Sequence, residues 1–368
     1  MKPDHRSPPR LLATLLTVLL ATTLAGCGMF VTLSANDASH DARNDTEALS
    51  PQSDRFLVDM ARRFGLMALF AEAVYRRDLP EETRDGNGCA YLAAPARGLD
   101  VTRYGMPRAT QGAGGWERWV PAAAQPGVAP CLDDAPGLYY ETYVYRNTAG
   151  RLAQAVIAFR GTENRPGQTF KDWGSNLAAF LGFEPAQYAV ARAHMLPLFA
   201  ALESVLEDRG DGARIYITGH SLGGGLAQQA GYLSRSVKEV FTFNTSPVSN
   251  WSQLRLHGQV RNAYPIIHRL YHGGEILEKI RFVSTSVTQA RYGRHDIGLQ
   301  LEGRSSFGGH SMQIIACNFA QLIAAEPELA TADHHYPSDY IRDVLLNQAR
   351  PALPCLGDEA GTRTAAQT

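Results

Sequence analysis

The sequence lacks the patterns by which cofactor-dependent and nucleic-acid-binding proteins are recognised. No G-x-G-x-x-G motif follows a strand-like segment, and no cysteines and histidines are spaced as zinc ligands. The formal net charge is −1 and no basic stripe is present, so no whole-chain electrostatic field favours nucleic acid. The sequence therefore predicts a protein that needs no cofactor or metal and has no nucleic-acid partner.

The apolar run at the amino end is too short to span a bilayer comfortably. It covers 15 residues, 11–25, whereas a spanning helix needs about 20. Basic residues precede it, and it ends in Leu24-Ala25-Gly26-Cys27. This arrangement resembles a bacterial lipoprotein signal, which implies that residues 1–26 are removed and that Cys27 is lipidated. A plain secretory signal and an uncleaved anchor are the alternative interpretations.

Residues 27–50 are predicted to form a flexible tether, because they are small and polar and have no periodic apolar pattern. Position 28 is glycine and not aspartate. By resemblance to lipoprotein sorting rules, this favours the outer membrane. The expected location is therefore the bacterial cell envelope, on its periplasmic or surface face, with the membrane as a partner through the lipid anchor.

Cysteine is scarce, with five in the chain. Apart from Cys27, four cysteines remain, and an even number of cysteines in an exported protein permits disulfides, here two. The neighbour pairings are Cys89–Cys131 and Cys317–Cys355. Two other pairings are equally compatible with the sequence, and Cys317 lies in an apolar stretch where a buried thiol is the alternative.

Residues 51–350 are predicted to form one α/β domain, followed by a C-terminal tail at 351–368. Helical periodicity begins at Asp54, and apolar segments then alternate with helical ones, which favours a mostly parallel sheet with helices on both faces. Residues 81–137 are rich in glycine and proline and are predicted to be an irregular insertion. The predicted strands are 138–145, 153–159, 214–218, 240–244, 266–271 and 281–288. One predicted helix starts at residue 54. Further helices are predicted at 188–207, 224–234, 311–325 and 336–347, and Pro197 is expected to kink the first of these.

The most informative segment is Gly219-His220-Ser221-Leu222-Gly223-Gly224, which follows an apolar, β-branched strand. A G-x-S-x-G sequence between a strand and a helix is typical of a nucleophile elbow, where a sharp turn exposes the serine hydroxyl. Glycines flank such a turn because a Cβ there would collide with the neighbouring strand or helix. The pattern predicts that Ser221 is a nucleophile. His220 is interpreted as a spacer within the elbow, because its side chain points away from the serine.

The chain resembles the class 3 lipase family of α/β-hydrolases over residues 138–320. The resemblance rests on a strand ending in Phe159-Arg160-Gly161-Thr162, on the pair Asp172-Trp173, and on the elbow. It implies an α/β-hydrolase fold. By position it also implies an oxyanion hole formed by Thr162 and by the backbone N–H of Leu222, the residue after the nucleophile.

The triad acid and base are sought after Ser221, in the chain order Ser, acid, His. The resemblance implies Glu275 as the acid, although the family carries aspartate there, with Asp296 as the reserve. It implies His310 as the base, in a loop that enters an apolar helix. His295 is the main alternative, because it resembles a loop residue that leaves a strand.

An aromatic cluster in the region where such lipases form a lid or an acyl-pocket wall is the candidate substrate-binding site. Its members are Phe180, Leu181 and Phe183, for which packing of a helix on the sheet is an equally good interpretation. The sequence as a whole predicts a membrane-tethered serine ester hydrolase that acts on lipid or other acyl esters. The alternative is a catalytically inactive hydrolase-fold lipoprotein that serves as a binding or scaffold module.

Overall fold

A computed structural model describes residues 54–75, 89, 115–134, 137–161, 186–207, 214–246, 254, 257–273, 275, 277, 294–299 and 309–325. The helices with described bounds are α1 (Asp54–Ala73), α2 (Ala186–Val205), α3 (Leu222–Leu233) and α4 (Met312–Ala325). The strands are β1 (Gly115–Arg118), β2 (Cys131–Asp134), β3 (Leu138–Arg146), β4 (Leu152–Phe159), β5 (Ile215–His220), β6 (Val237–Phe243), β7 (Ile266–His272) and β8 (Arg294–Leu299). The predicted signal peptide, tether and C-terminal tail lie outside the described residues.

The strands form one mixed sheet in the order β1-β3-β4-β5-β6-β7-β8. Strands β4 to β8 are parallel neighbours, whereas β3 runs antiparallel to β4. Strands β1 and β2 pair one after the other along the free edge of β3, both antiparallel to it. The mostly parallel arrangement confirms the predicted α/β class.

Both faces of the sheet are covered, which explains why most residues of its central strands are buried. In β4, Val156 and Ala158 pack in the core shared with α1 and α4, whereas Ala155 and Ile157 pack in the core shared with α2 and α3. Strand β5 is buried along its whole length. Because β5 to β8 are parallel, their carboxyl ends meet at one edge, where ligands of open α/β sheets bind.

Helix α1 begins at Asp54, as predicted, and its apolar stripe includes Phe64, Met67 and Ala71 of the core. Helix α2 is continuous over 20 residues with Pro197 inside it. Proline removes one helical hydrogen bond, and the packing of α2 on the sheet offsets that loss. No helix among the described residues is both long and apolar enough to cross a bilayer.

The insertion predicted at 81–137 contains ordered structure at the sheet edge, namely β1 and β2. Cys131 of β2 forms a disulfide with Cys89, 42 residues earlier, which confirms that neighbour pairing. Closing a loop of this length stabilises a fold by roughly 4 kcal/mol in the chain-entropy account. The other predicted pairing lies outside the described residues, because Cys355 and the side chain of Cys317 are not among them.

The segment around His295 was expected to be a loop that leaves a strand, and this expectation was wrong. Residues 294–299 are strand β8 itself, paired with β7 from Ile267↔Arg294 to His272↔Leu299. Asp296 within it is buried and bound to Arg269 of β7. A polar residue in the middle of a strand broke the apolar pattern that sequence reasoning depended on. The strand predicted at 281–288 and the helix predicted at 336–347 lie outside the described residues.

Candidate active site

Ser221 occupies a sharp turn between β5 and α3, as the motif predicts. Its φ of 53° and ψ of −123° place a non-glycine residue in a sparsely populated conformation. A Cβ on Gly219 would strike the carbonyl of Gly223, and a Cβ on Gly223 would strike the backbone of Phe159 and Arg160. The turn can close against β4 only because both positions are glycine.

Backbone hydrogen bonds hold this strained turn in place. The N–H of Ser221 donates to the carbonyl of Phe243 over 3.0 Å. The carbonyl of Ser221 accepts from the N–H groups of Gly224 and Ser246, each over 3.0 Å. The surrounding β6 and α3 therefore over-determine the turn, which is the condition under which backbone strain persists in a folded protein.

Three side chains meet at this turn in a continuous chain of contacts. His310 Nε2 lies 2.9 Å from Ser221 Oγ, and His310 Nδ1 lies 2.8 Å from Glu275 Oε2. Glu275 is 2% exposed and His310 is 7% exposed. A carboxylate only accepts hydrogen bonds, so Glu275 fixes the proton on Nδ1 and leaves Nε2 free to accept the serine proton.

The three residues come from elements that the parallel sheet aligns. Ser221 follows β5, Glu275 follows β7, and His310 precedes α4. Glu275 is oriented by its own backbone and by a second donor. Its N–H donates to His272 O over 3.2 Å, and the N–H of Leu277 donates to its Oε2 over 2.8 Å. The oxygen that faces the imidazole, Oε2, therefore also accepts a backbone hydrogen bond from Leu277.

The rival acid and base predicted from sequence lie elsewhere. Asp296 Oδ1 is 2.5 Å from Arg269 Nε, in a buried ion pair between β8 and β7. The His295 ring stacks on His268, with centroids 5.3 Å apart. Burial lowers the pKa of His268 below its usual 6.5, so that ring is neutral in the core. The structure thus brings Glu275 and His310 to the serine, and it keeps Asp296 and His295 within the sheet.

The remaining predicted site residues have mixed outcomes. Leu222 is the first residue of α3, where backbone N–H groups lack partners within the helix and the helix dipole favours negative charge. Thr162 lies outside the described residues and directly follows Gly161, the last described residue of its segment. The candidate pocket residues Phe180, Leu181 and Phe183, and the lipidation site Cys27, also lie outside the described residues.

Arg160, which directly follows β4, rests on a buried polar cluster. Arg160 lies over the Tyr139 ring at 4.5 Å, and its N–H donates to Tyr139 O over 3.0 Å. The Tyr139 hydroxyl donates to Glu141 over 2.6 Å. Burial, reinforced by Glu141, raises the pKa of Tyr139, so the phenol stays protonated and remains a donor.

Sequence reasoning missed Asn244, which directly follows β6. It is fully buried and has a φ of 43°, a left-handed conformation that asparagine adopts more readily than most residues. Its Nδ2 donates to Gly309 O over 3.0 Å, and its Oδ1 accepts from the N–H of His272 over 2.8 Å. An asparagine directly after a buried strand was the available signal.

Sequence reasoning also missed the contacts of His220, which was interpreted only as a spacer. Its Nδ1 lies 2.6 Å from the hydroxyl of Tyr75, two residues after the end of α1. Its Nε2 lies 2.7 Å from the backbone carbonyl of His310. The Tyr75 hydroxyl also lies so close to Gly161 that a Cβ there would approach it within 2.7 Å. Helix α1 thus reaches the back of the site.

The described residues contain no group of three or more His, Cys, Asp or Glu side chains arranged to hold a metal ion. The geometry provides a hydroxyl, an imidazole and a carboxylate in contact. Such a set can transfer an acyl group through a serine ester.

Comparison with known proteins places this site in a family. The family described as phospholipase-like, with a Tle-like phospholipase domain, matches residues 66–311. The chain belongs to this Tle-like phospholipase family. The matched region of the Tle-like phospholipase domain includes Ser221, Glu275 and His310, and it begins within α1.

An extracellular phospholipase A1 of Serratia liquefaciens is a relative of this Tle-like phospholipase domain. The two are 33% identical over 147 residues, which is 40% of this chain and 40% of that protein. The chain therefore matches less than half the length of that relative. The predicted membership of a lipase family is therefore confirmed in a broader form, as membership of a lipase or phospholipase family.

Proposed function

We propose that this protein is a serine hydrolase that cleaves the acyl esters of lipids, with phospholipids as its substrates. Membership of a phospholipase-like family and similarity to a protein named phospholipase A1 support the substrate class. The observation that carries the reaction type is the contact chain from Ser221 Oγ through the His310 ring to Glu275 Oε2, with separations of 2.9 and 2.8 Å. A positioned base next to a serine is what this chemistry needs.

In the proposed reaction, Ser221 Oγ attacks the acyl carbonyl carbon while His310 Nε2 takes the hydroxyl proton. The tetrahedral intermediate collapses, its bond to the alcohol oxygen breaks, and His310 returns the proton to the leaving alcohol. Water then attacks the acyl-enzyme, again with His310 as base, and the fatty acid leaves. Glu275 stays ionised and stabilises the imidazolium that forms in each half-reaction.

The proposed oxyanion hole consists of the backbone N–H of Leu222 together with Thr162. Leu222 is supported by its place at the amino end of α3, and Thr162 by resemblance to class 3 lipases. Loss of one such donor costs about 3 kcal/mol of transition-state stabilisation. The elbow, the parallel order of β4 to β8 and the chain order Ser, Glu, His also support an α/β-hydrolase fold for this domain.

Release of fatty acid from lipid vesicles tests the substrate class. We expect the purified domain to release fatty acid and a lysophospholipid from phosphatidylcholine or phosphatidylethanolamine vesicles faster than it releases fatty acid from emulsified triglyceride. Mass spectrometry of the products, over a series of acyl lengths and head groups, measures this ratio. Faster cleavage of triglyceride would contradict the phospholipid assignment and leave the hydrolase assignment intact.

The alternative function, a hydrolase-fold binding module without activity, makes the opposite prediction. Such a protein would bind the same vesicles, release no fatty acid and resist a fluorophosphonate probe. The intact contact among Ser221, His310 and Glu275 argues against it.

We also propose that the protein is a lipoprotein of the bacterial outer membrane, anchored through Cys27. The signal-like segment at 1–26 supports this location, and so does the disulfide Cys89–Cys131, because disulfides persist in oxidising compartments. Several acyl chains on one residue hold a protein on a membrane far better than one chain does.

Growth with labelled palmitate tests the anchor. We expect the wild-type protein to carry the label, to lack residues 1–26 and to sediment with the outer membrane, whereas Cys27→Ser carries no label. The control is Ser221→Ala, which excludes label held as an acyl-enzyme and should stay labelled. Unlabelled wild-type protein with an intact amino end would contradict the proposal.

A further inference from the structure

We infer that His220 and Asn244 are positioning residues, which together clamp the backbone of the loop that carries the base His310. The inference rests on the proposed function, because it concerns how that base is held against the serine. Each of the two side chains comes from the carboxyl end of a central strand, β5 or β6. Each contacts one of two consecutive carbonyls, Gly309 O or His310 O.

The protonation state of His220 follows from its two partners. A carbonyl oxygen only accepts, so His220 Nε2 must carry a proton and donate it to His310 O over 2.7 Å. In the neutral ring, Nδ1 then accepts, and the Tyr75 hydroxyl at 2.6 Å donates to it. The carbonyl of His310 therefore fixes the tautomer, and the Tyr75 hydroxyl matches it by donating to Nδ1. His220 is 5% exposed, so water competes little for either bond.

Asn244 binds the neighbouring carbonyl, Gly309 O, and also connects it to the segment that leads to Glu275. Its amide nitrogen donates to Gly309 O, and its amide oxygen accepts from the N–H of His272, at the end of β7. Glu275 follows His272 and donates its own N–H to His272 O. One buried amide thus ties the loop that carries the base to the end of β7, the strand that precedes the acid.

The clamp fixes the imidazole relative to the nucleophile because both are held by the same backbone. His220 is the residue directly before Ser221, and the N–H of Ser221 donates to Phe243 O, directly before Asn244. A shift of the loop would lengthen the 2.9 Å contact between His310 Nε2 and Ser221 Oγ. A misplacement of about 1 Å at a reacting centre can lower the rate about 100-fold.

Three substitutions separate positioning from simple core stability. His220→Phe keeps a ring but removes both hydrogen bonds. His220→Gln keeps an N–H that reaches His310 O. Asn244→Asp keeps the acceptor for the N–H of His272 and removes the donor to Gly309 O. Tyr140→Phe is the matched control, since it removes the 2.9 Å hydrogen bond from the buried Tyr140 to Ala129 O, which lies outside the site.

We expect His220→Phe and Asn244→Asp each to lower kcat for a soluble ester by about 10- to 100-fold with KM unchanged. The rate of fluorophosphonate labelling of Ser221 should fall in parallel. His220→Gln should recover most of the lost kcat, and Tyr140→Phe should keep the wild-type kcat even if its melting temperature falls. Tyr75→Phe should lower kcat by a smaller factor and have little further effect in a His220→Gln background, because coupled residues are not additive.

The outcomes distinguish this inference from the proposed function. If the wild type hydrolyses esters and the folded His220→Phe and Asn244→Asp proteins match its kcat, the clamp is refuted and the hydrolase assignment stands. If His220→Phe does not fold, Asn244→Asp and Tyr75→Phe decide the question. A folded wild-type protein that resists the probe and releases no fatty acid overturns the proposed function, and the inference with it.

Discussion

Replacing Ser221 by alanine is expected to abolish ester hydrolysis, with kcat reduced about 10⁴-fold or more. The substitution removes the hydroxyl oxygen that contacts His310 Nε2, and no acyl-enzyme can then form. Alanine keeps the Cβ, so it fits the turn with the same backbone strain as serine. Fatty-acid release and fluorophosphonate labelling, with the melting temperature measured alongside, check this outcome.

The matched control is Ser204→Ala, the same chemical change on α2, where the hydroxyl donates to the carbonyl of Ala201. This variant should keep wild-type activity and labelling. If Ser221→Ala retained hydrolysis at a rate comparable to Ser204→Ala, the proposed nucleophile would be wrong.

Glu275→Gln is expected to give the second-largest loss, about 10³- to 10⁴-fold in kcat. A carboxylate accepts the proton of His310 Nδ1, whereas an amide can present its NH₂ group instead and leave the ring in the wrong tautomer. The amide also lacks the charge that stabilises the imidazolium. Glu275→Asp keeps the charge and should retain more activity than Glu275→Gln.

Asp296→Asn is the decisive comparison, because Asp296 is the other acid that the sequence allowed. Its carboxylate binds Arg269 through two contacts of 2.5 and 2.7 Å. Breaking a buried ion pair destabilises a fold by about 3–5 kcal/mol. The variant should therefore melt at a lower temperature and keep its kcat at temperatures where it is folded. If Asp296→Asn lowered kcat more than Glu275→Gln does, Asp296 and not Glu275 would be the acid of the triad.

The parts of the fold that could be predicted from sequence are those where local pattern and tertiary role agree. Strands β4 and β5 are buried on both faces, so each contains a short continuous apolar run, 155–159 in β4 and 215–217 in β5. The elbow is likewise readable, since Gly219 and Gly223 are required by backbone contacts that any such turn makes. Strand β8 was misread because buried polar partners, here Arg269 and Asp296, give a strand a mixed sequence.

The sequence predicts the site only to the extent that residue type and chain order determine its chemistry. A serine in the elbow, and an acid and a histidine downstream, follow from the order of the chain. The supporting contacts do not, because Tyr75 and His220 are 145 positions apart and meet only through the packing of α1 on the sheet. The periodic pattern of apolar residues in a sequence does not indicate which buried hydroxyl contacts which ring. The choice between His310 and His295 depended on the same three-dimensional information.

Helix α1 has a practical consequence for anyone who wishes to express this domain. It is about 30 Å long, and Tyr75, two residues past its carboxyl end, contacts His220 of the elbow. The family match starts at residue 66, in the middle of that helix. A fragment cut at the match boundary would lose the first three turns of α1 and expose the sheet face that they cover. The shortest fragment worth cloning therefore begins upstream of Asp54.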